Sequence, residues 1–169
     1  MGIGQGYASP HTHTAAPVKA AFVDKKRPNM LSKRVMIVDD YDPTIELLAE
    51  VLESEGYTPI CHTEECLSVT CITDARADLL ILELGLGEPN GMLQLLHDLR
   101  QHPSTWALPV IVNSTDDQLL AELADELSDL SCAAVSKPFD LEVLLRLVGT
   151  CLSRGANEAR ADLLSELAD

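Results

Sequence analysis

The chain has few aromatic and few basic residues, and the shortage of basic residues argues against one class of function. Aromatic residues make up 4% of its 169 residues, and 12 Lys and Arg stand against 27 Asp and Glu, for a formal net charge of −15. An acidic protein surface repels the phosphate backbone of DNA and RNA. We therefore expect no nucleic-acid binding by the folded part of the chain.

Long apolar runs and paired cysteines are also missing. No apolar run approaches the roughly 20 residues that cross a bilayer, and the first residues lack the apolar centre of a signal peptide. The five cysteines are odd in number and form no Cys-x-x-Cys pair, which disfavours both a disulfide framework and a zinc knuckle. We expect a cytoplasmic protein with reduced cysteines and no membrane contact.

The N-terminal segment differs in composition from the rest of the chain. Glycine and proline punctuate residues 1–32 without hydrophobic periodicity, which predicts a disordered tail. Residues 1–33 hold five basic residues and one acidic residue, for a net charge of +4, so the remainder carries −19. Any contact with an acidic partner would have to use this tail.

From residue 33 onward, short apolar runs alternate with amphipathic segments. The predicted strands are 35–38, 57–61, 79–82, 110–112 and 132–135, and the predicted helices are 43–55, 64–73, 91–102, 117–128 and 140–153. Continuous apolar strands joined by single helices predict a doubly wound α/β fold, with a five-stranded parallel sheet covered on both faces. In such folds the functional residues lie at the carboxyl ends of the strands.

Two expectations concern the end of the domain and its single tryptophan. Gly155 is expected to end the fifth helix, so residues 154–169 form a separate short helical extension with Leu163, Leu164 and Leu167 at helical spacing. This extension could pack on the domain or form a homodimer. Trp106 is expected to pack against the domain.

Polar side chains follow the predicted strands at the edge where the carboxyl ends meet. Strand one is followed by Asp39 and Asp40, strand three by Glu83, strand four by Ser114 and strand five by Lys137. Carboxylate oxygens suit Mg²⁺, and hydroxyl and ammonium groups can donate to phosphoryl oxygens. Each residue alone could be a solvated loop residue, but together they favour a site for a divalent cation and a phosphoryl group.

Five segments carry a resemblance to a known family. They are residues 35–40 (VMIVDD), 78–83 (DLLILE), 89–91 (PNG), 109–114 (PVIVNS) and 137–139 (KPF). Through them, residues 34–152 resemble the receiver domain of two-component response regulators. The resemblance implies a flavodoxin-like sheet of strand order 2-1-3-4-5 and a switch in which a histidine kinase phosphorylates an aspartate with the help of Mg²⁺.

The resemblance also implies roles for individual positions. Asp39 and Asp40 correspond to the acidic pocket, and Ser114 and Lys137 to the groups that bind phosphoryl oxygens. The metal would contact Asp40, Glu83 and the backbone carbonyl of Gly85. The peptide bond before Pro138 would be cis.

One departure from the family falls at its central position. Glu83 stands where the family has the phosphorylated aspartate, and the register is secured by Gly91 eight residues later. The extra methylene advances the carboxylate by about 1.5 Å, and a misplacement of about 1 Å can slow an aligned reaction on the order of 100-fold. Phosphorylation of Glu83 should be slow, while its negative charge partly imitates a phosphoryl group.

A second departure falls three residues before Lys137. Ala134 occupies the position where the family has an aromatic ring that moves inward on activation. Alanine has no side-chain rotamer to switch. Its presence argues against a phosphorylation-driven change of state.

These features predict a stand-alone, atypical receiver that acts as a protein-interaction module independent of phosphorylation, with no catalytic residue and no cofactor other than Mg²⁺. Its partners would be proteins such as a histidine kinase or a downstream effector. One alternative is a phosphorelay receiver that is still phosphorylated. Lys137 would bind phosphoryl oxygens in a phosphorylated receiver, whereas otherwise it could form a purely structural salt bridge with Glu83. Another is a small flavodoxin-like cofactor-binding protein or enzyme, disfavoured because Asp39 and Asp40 would repel a flavin phosphate and no Gly-rich loop follows strand one.

Overall fold

The computed structural model describes residues 32–62, 67–85 and 89–166 of the chain. The predicted N-terminal tail up to residue 31, the start of the predicted second helix with Cys66, and the last three residues lie outside the described residues. The described chain forms a parallel sheet with helices on both faces.

Five strands make up the sheet, in the order β2-β1-β3-β4-β5. Every neighbouring pair is parallel. The strands are β1 Arg34–Val38, β2 Thr58–His62, β3 Leu79–Glu83, β4 Val110–Ser114 and β5 Cys132–Ser136. The doubly wound topology and its predicted strand order 2-1-3-4-5 are therefore confirmed.

Six helices connect and follow the strands in the described part of the chain. They are α1 Asp42–Ser54, α2 Val69–Ala75, α3 Pro89–Gln101, α4 Asp117–Glu122, α5 Ala124–Asp129 and α6 Leu141–Glu166. Side-chain caps begin three of them. Ser68 accepts a hydrogen bond from the backbone N–H of Cys71 at the start of α2, and Asp116 accepts one from that of Leu119 at the start of α4. At the start of α6, Asp140 accepts from the backbone N–H groups of Glu142 and Val143. Pro43 lies in the first turn of α1, where a missing N–H costs nothing.

The core is divided by the sheet into two apolar clusters. Alternate residues of the central strands point to opposite faces, so that Met36, Leu80 and Val112 pack on the α3 side. Ile37 and Ile81 pack on the other side, against α1 and α6. Because both faces are covered, residues 35–38 and 79–82 are all buried, which explains their unbroken apolar sequence. Burying one such side chain contributes about 1.5–3 kcal/mol.

Three details differ from the sequence-based expectations. The predicted helix 117–128 is divided into α4 and α5 at Leu123, whose φ and ψ of −95° and 3° leave the helical range. The expected break at Gly155 is wrong, because α6 continues through it to Glu166, a length of 26 residues. A glycine permits a helix end but does not impose one. Trp106 is 52% exposed instead of packed.

Among the described helices, none combines the length and the apolar character that a membrane crossing needs.

Candidate functional site

The candidate site lies where the carboxyl ends of four strands meet. Asp39 directly follows β1, Glu83 is the last residue of β3, Ser114 is the last residue of β4, and Lys137 directly follows β5. Parallel pairing carries all four strands in one direction, so these residues reach the same edge of the sheet. Each strand thus contributes one polar group after an apolar run.

Strand alternation explains why three of these side chains meet. Asp39 lies two residues beyond Ile37, Glu83 two beyond Ile81, and Lys137 two beyond Val135. Ile37 and Ile81 are buried on the α1 and α6 side of the sheet, and Val135 packs against that cluster. Since side chains two apart in a strand share a face, the three polar groups project from this face.

Lys137 binds two carboxylates at once. Its Nζ lies 2.7 Å from Asp39 Oδ2 and 2.8 Å from Glu83 Oε1. The Asp39 side chain is fully buried, and those of Lys137 and Glu83 are each 12% exposed. Asp39 Oδ1 also accepts a hydrogen bond of 3.0 Å from the backbone N–H of Tyr41. The single positive charge of Lys137 therefore balances part of the negative charge of the Asp39 and Glu83 carboxylates.

The ionisation of the site is shifted by burial and by this arrangement. Burial raises the pKa of the Glu83 carboxyl above its ordinary value; the hydrogen bond from Lys137 opposes the rise, and the nearby Asp39 carboxylate adds to it. Burial acts to lower the pKa of the Lys137 ammonium, but its hydrogen bonds to Asp39 and Glu83 and the negative charges of these two groups together outweigh burial, so that pKa is raised. Lys137 is charged at neutral pH.

Three carboxylates at this edge could hold a divalent cation. Asp39, Asp40 and Glu83 each place one oxygen so that the three oxygens lie within 4.8 Å of one another. Asp40 is exposed, and Glu83 Oε2 is buried without a hydrogen-bond partner among the residues that the structure describes. An oxygen-only set with an unpartnered carboxylate oxygen fits the ligand preference of Mg²⁺. Gly85, with a φ of 123°, lines the same cavity.

A cavity of about 620 Å³ opens above the carboxylates. Five of the predicted site residues line this cavity: Asp40, Glu83, Gly85, Ser114 and Lys137. Of the predicted site residues, Asp39 and Ala134 do not line it. Asp39 nevertheless accepts a hydrogen bond from Lys137, which does line the cavity. Ser114 Oγ accepts a hydrogen bond of 3.1 Å from the backbone N–H of Asp116, which leaves its own hydroxyl proton available to a ligand.

Ala134 lies away from this cavity. It pairs with Val112 in the sheet register and is exposed on the edge strand β5. The methyl group of Ala134 therefore cannot move between a buried and an exposed position, as an aromatic ring could. The Lys137–Pro138 peptide bond is cis, as the resemblance implies.

The sequence-based reasoning gave no role to Asn113. This residue is fully buried, and within the described part of the chain neither its Nδ2 nor its Oδ1 has a hydrogen-bond partner. In the sheet register it is directly opposite Glu83 on the neighbouring strand. The signal was present in the sequence, since Asn113 is the polar residue that continues the buried apolar run of β4.

Comparison with a family model decides the family. The response regulator receiver domain model matches residues 35–149. The chain belongs to this family. The receiver family inferred from the five sequence segments is therefore confirmed, and the protein carries the receiver domain of two-component signalling.

Solved receiver structures have the same fold. A Vibrio cholerae chemotaxis protein CheY4 is 19% identical with a TM-score of 0.61, the match covering 71% of this chain and 98% of that one. A putative response regulator from Chloroflexus aurantiacus is 27% identical with a TM-score of 0.60, covering 72% and 98%. NtrX from Brucella abortus is 23% identical with a TM-score of 0.67; the match covers 82% of this chain but only 30% of NtrX. The match thus spans nearly all of the first two solved chains and less than a third of the NtrX chain.

Proposed function

We propose that this receiver works as a protein-interaction module that does not depend on phosphorylation. The observation that carries the proposal is the 2.8 Å contact between Glu83 Oε1 and Lys137 Nζ. The Glu83 carboxylate is bonded to the Lys137 ammonium group, to which a phosphoryl oxygen would otherwise bind. The site therefore contains a side-chain carboxylate in the place where a phosphoryl group would bind.

The length of Glu83 argues against efficient phosphorylation. Its carboxylate extends about 1.5 Å further from the strand than that of an aspartate. In-line transfer of a phosphoryl group depends on alignment, and a displacement of about 1 Å costs on the order of 100-fold in rate. The Glu83 carboxylate is also already bonded to Lys137, so it would have to leave a buried ion pair to attack.

The imitation of a phosphorylated state is partial. A phosphoryl group brings a charge of about −1.5 to −2 and three acceptor oxygens, whereas a carboxylate brings −1 and two. Glu83 supplies the contact to Lys137, but Ser114 Oγ has only Asp116 N–H as its hydrogen-bond partner among the described residues. Glu83 therefore makes the contact to Lys137 that a phosphoryl group would make, but it makes no contact to Ser114.

The absence of a movable ring at Ala134 supports the same conclusion. This exposed methyl group has no second rotamer, so position 134 cannot report the occupancy of the cavity through a moving side chain. A partner protein, such as a histidine kinase or a downstream effector, would recognise a fixed surface. We place the protein in the cytoplasm, where such partners act.

Mg²⁺ is the cofactor that the site favours. Asp39, Asp40 and Glu83 would hold it through carboxylate oxygens, with the carbonyl of Gly85 as a further ligand. A bound cation would offset the negative charge that Lys137 alone does not balance. Here it would stabilise the acidic pocket.

The deciding experiment compares the protein with its Glu83→Asp variant. Both are incubated with acetyl phosphate and Mg²⁺, and phosphorylation is followed by intact mass. We expect no labelling of the protein itself at times when Glu83→Asp is labelled, because the shorter carboxylate restores the alignment. Glu83→Gln serves as the control that lacks any acceptor.

Binding of partner proteins gives the second readout. The protein and phosphorylated Glu83→Asp should retain the same partner in a pull-down, and unphosphorylated Glu83→Asp should retain less. Labelling mapped to Glu83 at a rate comparable to Glu83→Asp would overturn the proposal and favour the phosphorelay alternative.

A further inference from the structure

A second cavity, of about 560 Å³, lies at the opposite edge of the sheet. The first residues of β4 and β5, Val110 and Cys132, line it, together with Arg100 near the end of α3 and Arg154 on α6. β4 is five residues long, which at about 3.3 Å per residue places Val110 roughly 13 Å from Ser114. The cavity is thus separate from the candidate site.

Among the side chains that the structure describes, two guanidinium groups and no carboxylate line this cavity. Arg100 is held by backbone carbonyls: its Nε donates to Leu130 O at 2.6 Å and its Nη1 to Leu108 O at 3.0 Å. Carbonyl groups orient a guanidinium without cancelling its charge. Among the described side chains, neither Arg100 nor Arg154 has a carboxylate within 4.0 Å. In a chain with a net charge of −15, the cavity is locally positive.

The thiols in the cavity do not neutralise this charge. Burial raises the pKa of Cys132, and this outweighs the lowering effect of Arg100. Burial likewise raises the pKa of Cys151 against the effect of Arg154. Both thiols are uncharged at neutral pH and add weakly polar surface next to Leu108 and Val110.

An exposed aromatic ring completes the lining. Trp106 is the one tryptophan of the chain, and it is 52% exposed at this cavity. A large ring left exposed next to Leu108 and Pro109 offers a flat apolar surface for stacking. The cavity volume falls within the roughly 300–1,000 Å³ that is usual for small-molecule sites.

We propose that this cavity binds a small organic anion that carries a flat aromatic ring. Arg154 binds the anionic group, since a guanidinium matches the geometry of a carboxylate. Its exposed side chain has no hydrogen-bond or ion-pair partner among the side chains that the structure describes, which on α6 are those of residues 141–154. Trp106 stacks on the ring, and the oriented guanidinium of Arg100 adds attraction from the inner side. The site is independent of Glu83 and of the function proposed above.

The test uses the full chain and the single indole N–H signal of Trp106 in a ¹H–¹⁵N NMR spectrum. The probe is 2-naphthoate, compared with uncharged 2-naphthamide and with inorganic phosphate. Arg154→Gln removes the proposed anion contact. Arg146→Gln is the matched control, because Arg146 is also exposed on α6 but does not line the cavity.

We expect a saturable shift of the Trp106 signal with 2-naphthoate, weakened about tenfold by Arg154→Gln and less than twofold by Arg146→Gln. This ratio corresponds to the loss of one charge-assisted hydrogen bond. The amide should bind more weakly than the acid, and phosphate should leave the signal unshifted. Absence of saturation, equal effects of the two substitutions, or phosphate binding as tight as that of 2-naphthoate would each overturn the proposal.

Discussion

Lys137 Nζ lies 2.7 Å from Oδ2 of Asp39, a carboxylate that is fully buried. The two residues are 98 positions apart in the chain, and only the pairing of the strands brings them together. Burial of an ion pair is costly, so removing one partner leaves a charge whose desolvation nothing offsets. The stability of this edge of the sheet therefore depends on the lysine.

Replacing Lys137 by methionine should destabilise the protein strongly. Asp39 and Glu83 would then be buried carboxylates without a cation, and breaking such a pair costs about 3–5 kcal/mol. The measurement is the free energy of unfolding from urea denaturation. Lys33→Met is the matched control: Lys33 is 51% exposed in its pair with Asp78, and exposed pairs contribute about 0–1 kcal/mol. Equal losses in both variants would contradict a special role of Lys137.

The pH dependence of stability should differ between the protein and Glu83→Gln. The raised pKa of Glu83 means that the folded state holds its proton more tightly than the unfolded state does. Its ionisation thus disfavours folding as pH rises from the ordinary value of 4.5 through the raised value. Glu83→Gln lacks this loss, so its stability relative to the unmodified protein should increase with pH across that window. Parallel urea-derived stability curves from acid to neutral pH would contradict the assignment.

Mg²⁺ should stabilise the folded protein through the three carboxylates. A ligand that binds only the folded state stabilises it by RT ln(1 + L/Kd), where L is the free ligand concentration, so the melting temperature should keep rising with the Mg²⁺ concentration above Kd. Asp40→Asn should weaken the Mg²⁺ affinity at least about tenfold, because even residues that only support a metal ligand contribute 10–100-fold. Calorimetric titration measures the affinity, and Asp74→Asn, an exposed change on α2, is the control. A thermal response that Asp40→Asn leaves intact would place the ion elsewhere.

Asn113→Leu should leave stability unchanged or increase it by about 1–3 kcal/mol. The two polar atoms of the buried carboxamide have no partner among the described residues, and leucine of similar size removes this desolvation cost. Thermal unfolding measures the change, and Asn113→Ala, which removes the same polar atoms but leaves a void, should be less stable than Asn113→Leu. A clear loss of stability in Asn113→Leu would show that a bound water molecule pairs with the amide.

Much of the fold follows from local sequence. The apolar runs 35–38 and 79–82 predict buried parallel strands, because a strand covered on both faces cannot alternate with polar residues. The positions at which helices end are harder to predict. Leu123 divides a helix whose sequence has uninterrupted helical periodicity, and Gly155 fails to end one. Helix ends depend on neighbouring elements as much as on the residue at the end.

By itself the sequence determined the order of strands and helices, the receiver family and the residue types at the strand ends, since each of these follows from patterns within a few residues. Only the tertiary structure decided that Lys137 bonds to Asp39 and Glu83 together, that Asn113 is buried opposite Glu83, and that Trp106 remains exposed beside Arg154. These relationships join distant positions through strand register and helix packing. Register and packing are properties of the assembled sheet, and no short segment encodes them alone.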